Sequence, residues 1–85
     1  MSDKNSKYIV FDDGLNIYPV VFPYFIPHDT IAGAMSPRKP TSAGFVQIQA
    51  DGYAEAYGES ISLNLKADVG PDSKMLTKIL LQITI

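Results

Sequence analysis

The stretch Phe45–Leu65, FVQIQADGYAEAYGESISLNL, decides how this chain is read. From Val46 to Ala50, apolar and polar residues alternate, which is the period of a strand with one wet face. Asp51-Gly52 follows. An Asp-Gly pair supplies the positive φ angles of a type I′ turn, so it signals a hairpin. A two-residue turn there sets Ala50 opposite Tyr53, Ile48 opposite Glu55 and Val46 opposite Tyr57. Directly opposed residues share a face. The buried face is therefore predicted to hold Val46, Ile48, Ala50, Tyr53 and Tyr57, and with the same period Ile61, Leu63 and Leu65. Glu55 and Glu59 interrupt that parity. The opposite parity, Ala54, Ala56, Gly58, Ser60, Ser62, Asn64 and Lys66, reads as a solvent or edge face. Gly58 is a candidate bulge.

Beyond this stretch, Gly70-Pro71-Asp72-Ser73 suits the start of a helix. Met75, Leu76, Ile79, Leu80 and Ile83 follow at helical spacing, with Lys74, Thr77 and Lys78 outside. Helix is predicted to about Gln82. Ile79, Leu81, Ile83 and Ile85 also alternate, so a strand is the other reading of that tail.

Before it, Tyr8-Ile9-Val10-Phe11 reads as a strand ended by Asp12-Asp13-Gly14, a second hairpin signal. The returning strand runs from Leu15 to about Phe22. Pro19 cannot donate to a ladder, which places this strand at an edge or breaks it. Pro23 and Pro27 bracket an extended connector. A short helix is predicted over His28–Met35, capped by His28 or Asp29, with Ile31, Ala34 and Met35 facing inward. Residues 36–42 read as an exposed loop carrying Arg38 and Lys39. The order is ββαββα. The fold class is α+β: a four-stranded, mainly antiparallel sheet with two helices on one face. Residues 1–6 read as a disordered lead and 7–85 as one domain.

With 85 residues the chain has room for one domain, and it has no cysteine to staple it. Its 46% hydrophobic content is too high for a disordered chain. Net charge is −2, without the basic excess expected of a dedicated nucleic-acid binder. The start is polar, with no apolar stretch behind a basic cluster as in a secretory signal, and no apolar run is long enough to span a membrane. The expected location is cytoplasmic.

No residue pattern implies a cofactor, a metal or a catalytic constellation. His28 and Asp29 are adjacent, but adjacency in sequence does not build a catalytic pair and no nucleophile accompanies them. Glu55 and Glu59 stand about 13 Å apart along a strand, wide for a glycosidase pair. Asp12, Asp13 and Asn16 begin like a calcium loop, but Gly14 comes too early and no glutamate closes the pattern. Glycine-rich phosphate loops and nucleophile elbows are missing. What remains are candidates for protein contact: Tyr53, Glu55, Tyr57 and Glu59 on the second hairpin, Tyr24 and Phe25 in the connector, and Arg38 and Lys39 in the loop.

The segment from Gly58 to Lys66, with Pro71-Asp72 and the helix after it, resembles short proteins encoded by phages and prophages. The resemblance spans the last third of the chain and carries no functional residues. It implies a protein that binds and blocks a host protein. With no catalytic constellation and with aromatics and prolines beyond what a small core needs, the expected function is a non-enzymatic protein-interaction module. Self-association as a homodimer is a separate expectation, because Pro19 and the small-residue face Ala54-Ala56-Gly58 suggest incompletely covered strands. The alternatives are a small-ligand site or minor enzyme built on His28, Asp29 and Glu55, and nucleic-acid association through Arg38, Lys39 and Lys66.

Overall fold

A computed structural model describes residues 5–84, with side chains described through 81. The elements are β1 (Ser6–Asp12), β2 (Ile17–Phe22), α1 (His28–Ala34), β3 (Lys39–Ile48), β4 (Ala54–Tyr57), β5 (Glu59–Ser60), β6 (Leu65–Lys66) and α2 (Val69–Thr84). The fold is α+β, with a four-stranded antiparallel sheet in the order β2-β1-β3-β4 and a separate β5-β6 hairpin. That second hairpin is an addition to the predicted ββαββα order. Of the residues read as a disordered lead, Met1–Lys4 lie outside the described residues. Ser6 opens β1, and Asn5 donates to the Tyr57 hydroxyl at 2.8 Å.

The helices cover opposite faces of the sheet, not one. Successive strand residues point to opposite sides. Tyr8 and Val10 pack with Val46, Ala54, Ala56 and Leu76 under α2. Ile9 and Phe11 pack with Phe22 and Ala43 under α1, and Leu63 and Leu65 from the β5–β6 segment complete that layer. In α1, Ala32 rather than Ala34 joins Ile31 and Met35 on the inner side. The helix has no side-chain cap; Pro27 holds the N-cap position. The loop before β3 is shorter than predicted, because the strand already starts at Lys39.

The hairpin of residues 45–57 differs from its prediction by one residue. The pairs are Phe45 with Tyr57, Val46 with Ala56, Gln47 with Glu55 and Ile48 with Ala54. Gln49 and Tyr53 close a three-residue loop through Gln49 N to Tyr53 O at 2.7 Å, and Gly52 sits at φ +90°. This is the loop in which a turn is followed by a left-handed residue. A one-residue slip moves every side chain to the other face. In β4, Ala54 and Ala56 are therefore buried and Tyr53 is exposed; Ile48 shares the face of buried Val46 but is exposed at the strand's end, and beyond Gly58 Ser60 is buried and Ile61 exposed. The run predicted as one strand from Tyr53 to Leu65 breaks at Gly58, whose φ is +78°.

A similar shift affects the first turn. Gly14, at φ +94°, takes the first central position between Asp13 and Asn16, so the return strand begins at Ile17 rather than Leu15. Helix α2 starts at Val69, ahead of Pro71, and its backbone stays helical to Thr84, which settles the tail as helix; Ile85 lies outside the described residues.

Candidate functional site

The two outer strands of the sheet are β2 and β4, and their outward backbone groups have different fates. Residues of an antiparallel strand alternate between bonding to the partner and pointing away from it. The Gln49–Tyr53 bond fixes the parity of β4, so the N–H groups of Ala54 and Ala56 point outward. Both are taken by α2: Ala54 N donates to Thr77 Oγ1 and Ala56 N to Ser73 Oγ, each at 2.8 Å. Ser73 and Thr77 are one helical turn apart, so one face of α2 closes the edge. The helix itself is held at its start by Asp72, which is only 3% exposed. Its Oδ2 accepts from the Tyr8 hydroxyl at 2.5 Å, the Ser42 hydroxyl at 2.7 Å and Asp68 N at 3.0 Å. Burial, and then the bond and charge of Asp72, hold the Tyr8 phenol far above its ordinary value, so it remains a donor. These polar residues form an i, i+1, i+4, i+5 stripe (72, 73, 76, 77) shared with buried Leu76. That spacing is the sequence signal for the device, and an apolar reading of α2 passes over it.

Along β2, Asp13 N donates to Asn16 O, which fixes the alternate parity. Ile17, Pro19 and Val21 are the residues whose backbone faces outward. No side chain of α2 is bonded to them among the described residues. Exposed apolar residues lie at both ends of this strand. Leu15 (91% exposed) and Ile17 stand at the hairpin end, and Tyr24 with Phe25 (66% exposed) at the connector end. Tyr24 and Phe25 form an edge-to-face pair with ring centroids 5.5 Å apart. The connector is tied down by Lys7 Nζ, which donates to Ile26 O at 3.0 Å.

The residues singled out from sequence fall into separate places. Tyr57 stacks on Phe45 and receives Asn5, so it is largely structural. Tyr53 is exposed at the foot of the three-residue loop. Glu55 is half-buried and accepts from Gln49 Nε2 at 2.6 Å, whereas Glu59 lies in β5 opposite Lys66. The two carboxylates thus belong to different sheets. Arg38 folds back toward Met35 O, and Lys39 stands opposite Asp12. A shallow groove beside them is lined by Asp12, Asp13, Pro37 and Arg38, so acidic groups offset the basic pair. The Asp12 and Asp13 carboxylates are themselves used within the turn, by Gly14 N and by Leu15 and Asn16 N. Those turn amides hold Asp13 below the usual carboxylate range.

His28 is a core residue. Its Nε2 is 2.9 Å from Gly44 O, which requires a proton on that nitrogen, and its ring stands nearly perpendicular to those of Phe22 and Phe45. No hydrogen bond joins it to Asp29 or Glu55 among the described residues, and neither of two surface grooves is lined by any of the three. No group of three or more potential metal ligands occurs among the described residues, and no described helix is long and apolar enough to cross a membrane.

No protein-family model matches the chain, and no curated protein or solved structure matches it.

Proposed function

We propose that this chain is a small non-enzymatic protein-interaction module that engages its partner along the β2 side of the sheet. The observation that carries the reading is the placement of exposed Leu15 and Ile17 at one end of that strand and Tyr24 and Phe25 at the other. Aromatic and large aliphatic anchors flanking a strand suit a side-chain-mediated interface. Tyr53 would extend a contact from the opposite end of the sheet, but Tyr57, Glu55, Arg38 and Lys39 have local partners and contribute less. In keeping with the resemblance to phage-encoded proteins, the partner is a protein of the host cell, met in the cytoplasm.

The test is capture of partners from host lysate, followed by binding measurements with the purified partner. Ile17→Asp with Phe25→Asp is expected to weaken that binding at least about tenfold, the loss of one anchor's worth of burial. Ile61→Asp, at the far β5–β6 turn, leaves binding unchanged. Retention of no specific partner, or equal binding by both variants with unchanged circular dichroism, overturns the reading.

A further inference from the structure

His28 is 5% exposed and is the first residue of α1. It directly follows the connector that carries Tyr24 and Phe25. Its Nε2–H donates to Gly44 O, and its ring centroid lies 5.4 Å from that of Phe22 and 5.8 Å from that of Phe45. Among the described residues it is the one side chain of α1 hydrogen-bonded to the sheet. The remaining hold on α1 is apolar and partial, through Ile31, Ala32 and Met35. The helix is seven residues long, contains Gly33 and has no side-chain cap. So short a helix depends on its docking for its existence.

We propose that His28 is an acid-released latch: neutral, it pins α1 and the preceding connector to the sheet, and protonated, it lets that segment undock while the β4–α2 half stays folded.

The slot is hostile to a cation. Phe22 and Phe45 flank the ring. From β1, Lys7 adds a like charge, and from α1 itself only Asp29 offsets it. β3 presents Gly44 and Phe45, and β4 presents Tyr57 beyond Phe45; none carries a charge at neutral pH. A cation in the first turn also opposes the helix dipole. Burial, the largest influence, holds the imidazole below its ordinary range, although the Gly44 carbonyl, next in size, pulls the other way. The sign follows from proton counting. The docked state binds fewer protons than the undocked one. Docking is therefore at full strength above the ordinary histidine value of about 6.5, and it weakens as pH falls from there to the docked-state value. If the β2-side surface is the partner surface, its connector end is released along with α1. The latch itself is tested without any partner.

The chain has one histidine, so its imidazole resonances are unambiguous. They are followed from about pH 7.5 to about pH 4.5 together with amide hydrogen exchange corrected for the intrinsic rate. Exchange at Ala32–Met35 is expected to accelerate by up to about tenfold per pH unit within the linkage window. Exchange at Leu76 is expected to stay unchanged. His28→Gln keeps a donor for Gly44 and cannot titrate, so its α1 exchange stays flat with pH. The proposal is overturned if α1 exchange is flat while His28 titrates, or if α1 and α2 amides accelerate together. It is also overturned if His28→Gln keeps the pH dependence. Should that variant fail to fold, the unmodified chain's α1-versus-α2 comparison decides alone.

Discussion

The two edges of the sheet meet one physical problem in two ways. An edge strand presents unpaired N–H and C=O groups, a template for unwanted pairing. On β4 the solution is long-range: Ser73 and Thr77, far along the chain, accept the N–H groups of Ala56 and Ala54. On β2 it is local: Pro19 occupies an outward-facing position, opposite Val10, where it removes a donor without costing the sheet a ladder bond. A covered edge binds only its own helix. A blunted edge leaves its flanking side chains exposed, and there Leu15, Ile17, Tyr24 and Phe25 remain. The contrast assigns stability to the β4 side and leaves the β2 side as the surface on which the proposed recognition would act.

The strongest way to break this contrast is at Asp72. It sets where α2 begins, and hence whether Ser73 and Thr77 reach β4. Asp72→Ala strips a shared acceptor from Tyr8, Ser42 and Asp68 N, and is expected to cost about 3 kcal/mol, roughly 1 kcal/mol per orphaned donor. Urea denaturation measures it. A loss below about 1 kcal/mol would mean that these donors find other partners and that α2 is placed by apolar packing alone.

A smaller effect is expected from the caps. Ser73→Ala leaves Ala56 N–H buried without an acceptor, and Thr77→Val does the same to Ala54 N–H. Each is expected to cost about 1–2 kcal/mol. Exchange should rise first at these two amides. If Ala54 and Ala56 stay as protected as in the parent, water or the backbone replaces the hydroxyls, and the long-range closure is not what protects β4.

What was legible in the sequence follows the same division between local and distant causes. Pro19 marks an edge strand because the cause sits in the residue itself. The periodicity of Met75, Leu76, Ile79 and Leu80 likewise marks α2, and the two Asp-Gly pairs mark two hairpins. The hairpin signal fixed neither loop length nor face. Asp51-Gly52 belongs to a three-residue loop, and that single added residue exchanges the buried and exposed sides of β4. Ala54 and Ala56 look like a solvent face when read alone. They are buried because their small size lets α2 approach closely enough for Ser73 and Thr77 to reach the backbone. Gly44 belongs to the same kind of constraint: a Cβ there would collide with Tyr57 O, across the strand pair. The polar pin of Tyr8, Ser42 and Asp72 joins residues far apart in sequence, and each alone is an unremarkable strand or helix residue. In sequence, Pro19 and the Ala54-Ala56-Gly58 face suggest uncovered strands open to a second copy; in the structure the alanines lie under α2, and Pro19 blunts its strand's outward edge.

The smallest change in stability, and the sharpest test of the contrast, is at Pro19 itself. Pro19→Val restores an outward N–H between those of Ile17 and Val21 and completes a pairing-competent edge. The folded strand conformation suits valine, so the stability change is expected to stay within about 1 kcal/mol, mostly from added freedom in the unfolded chain. Association responds far more. Light scattering is expected to show a higher mass for Pro19→Val than for the parent at equal concentration, because two such edges can then pair along β2. A homodimer of the parent formed instead through the exposed side chains of Leu15, Ile17, Tyr24 and Phe25 would be dissolved by Ile17→Asp with Phe25→Asp. If the parent already pairs strand to strand, Pro19→Val leaves its mass unchanged, and Pro19 is then a tolerated edge residue rather than a barrier.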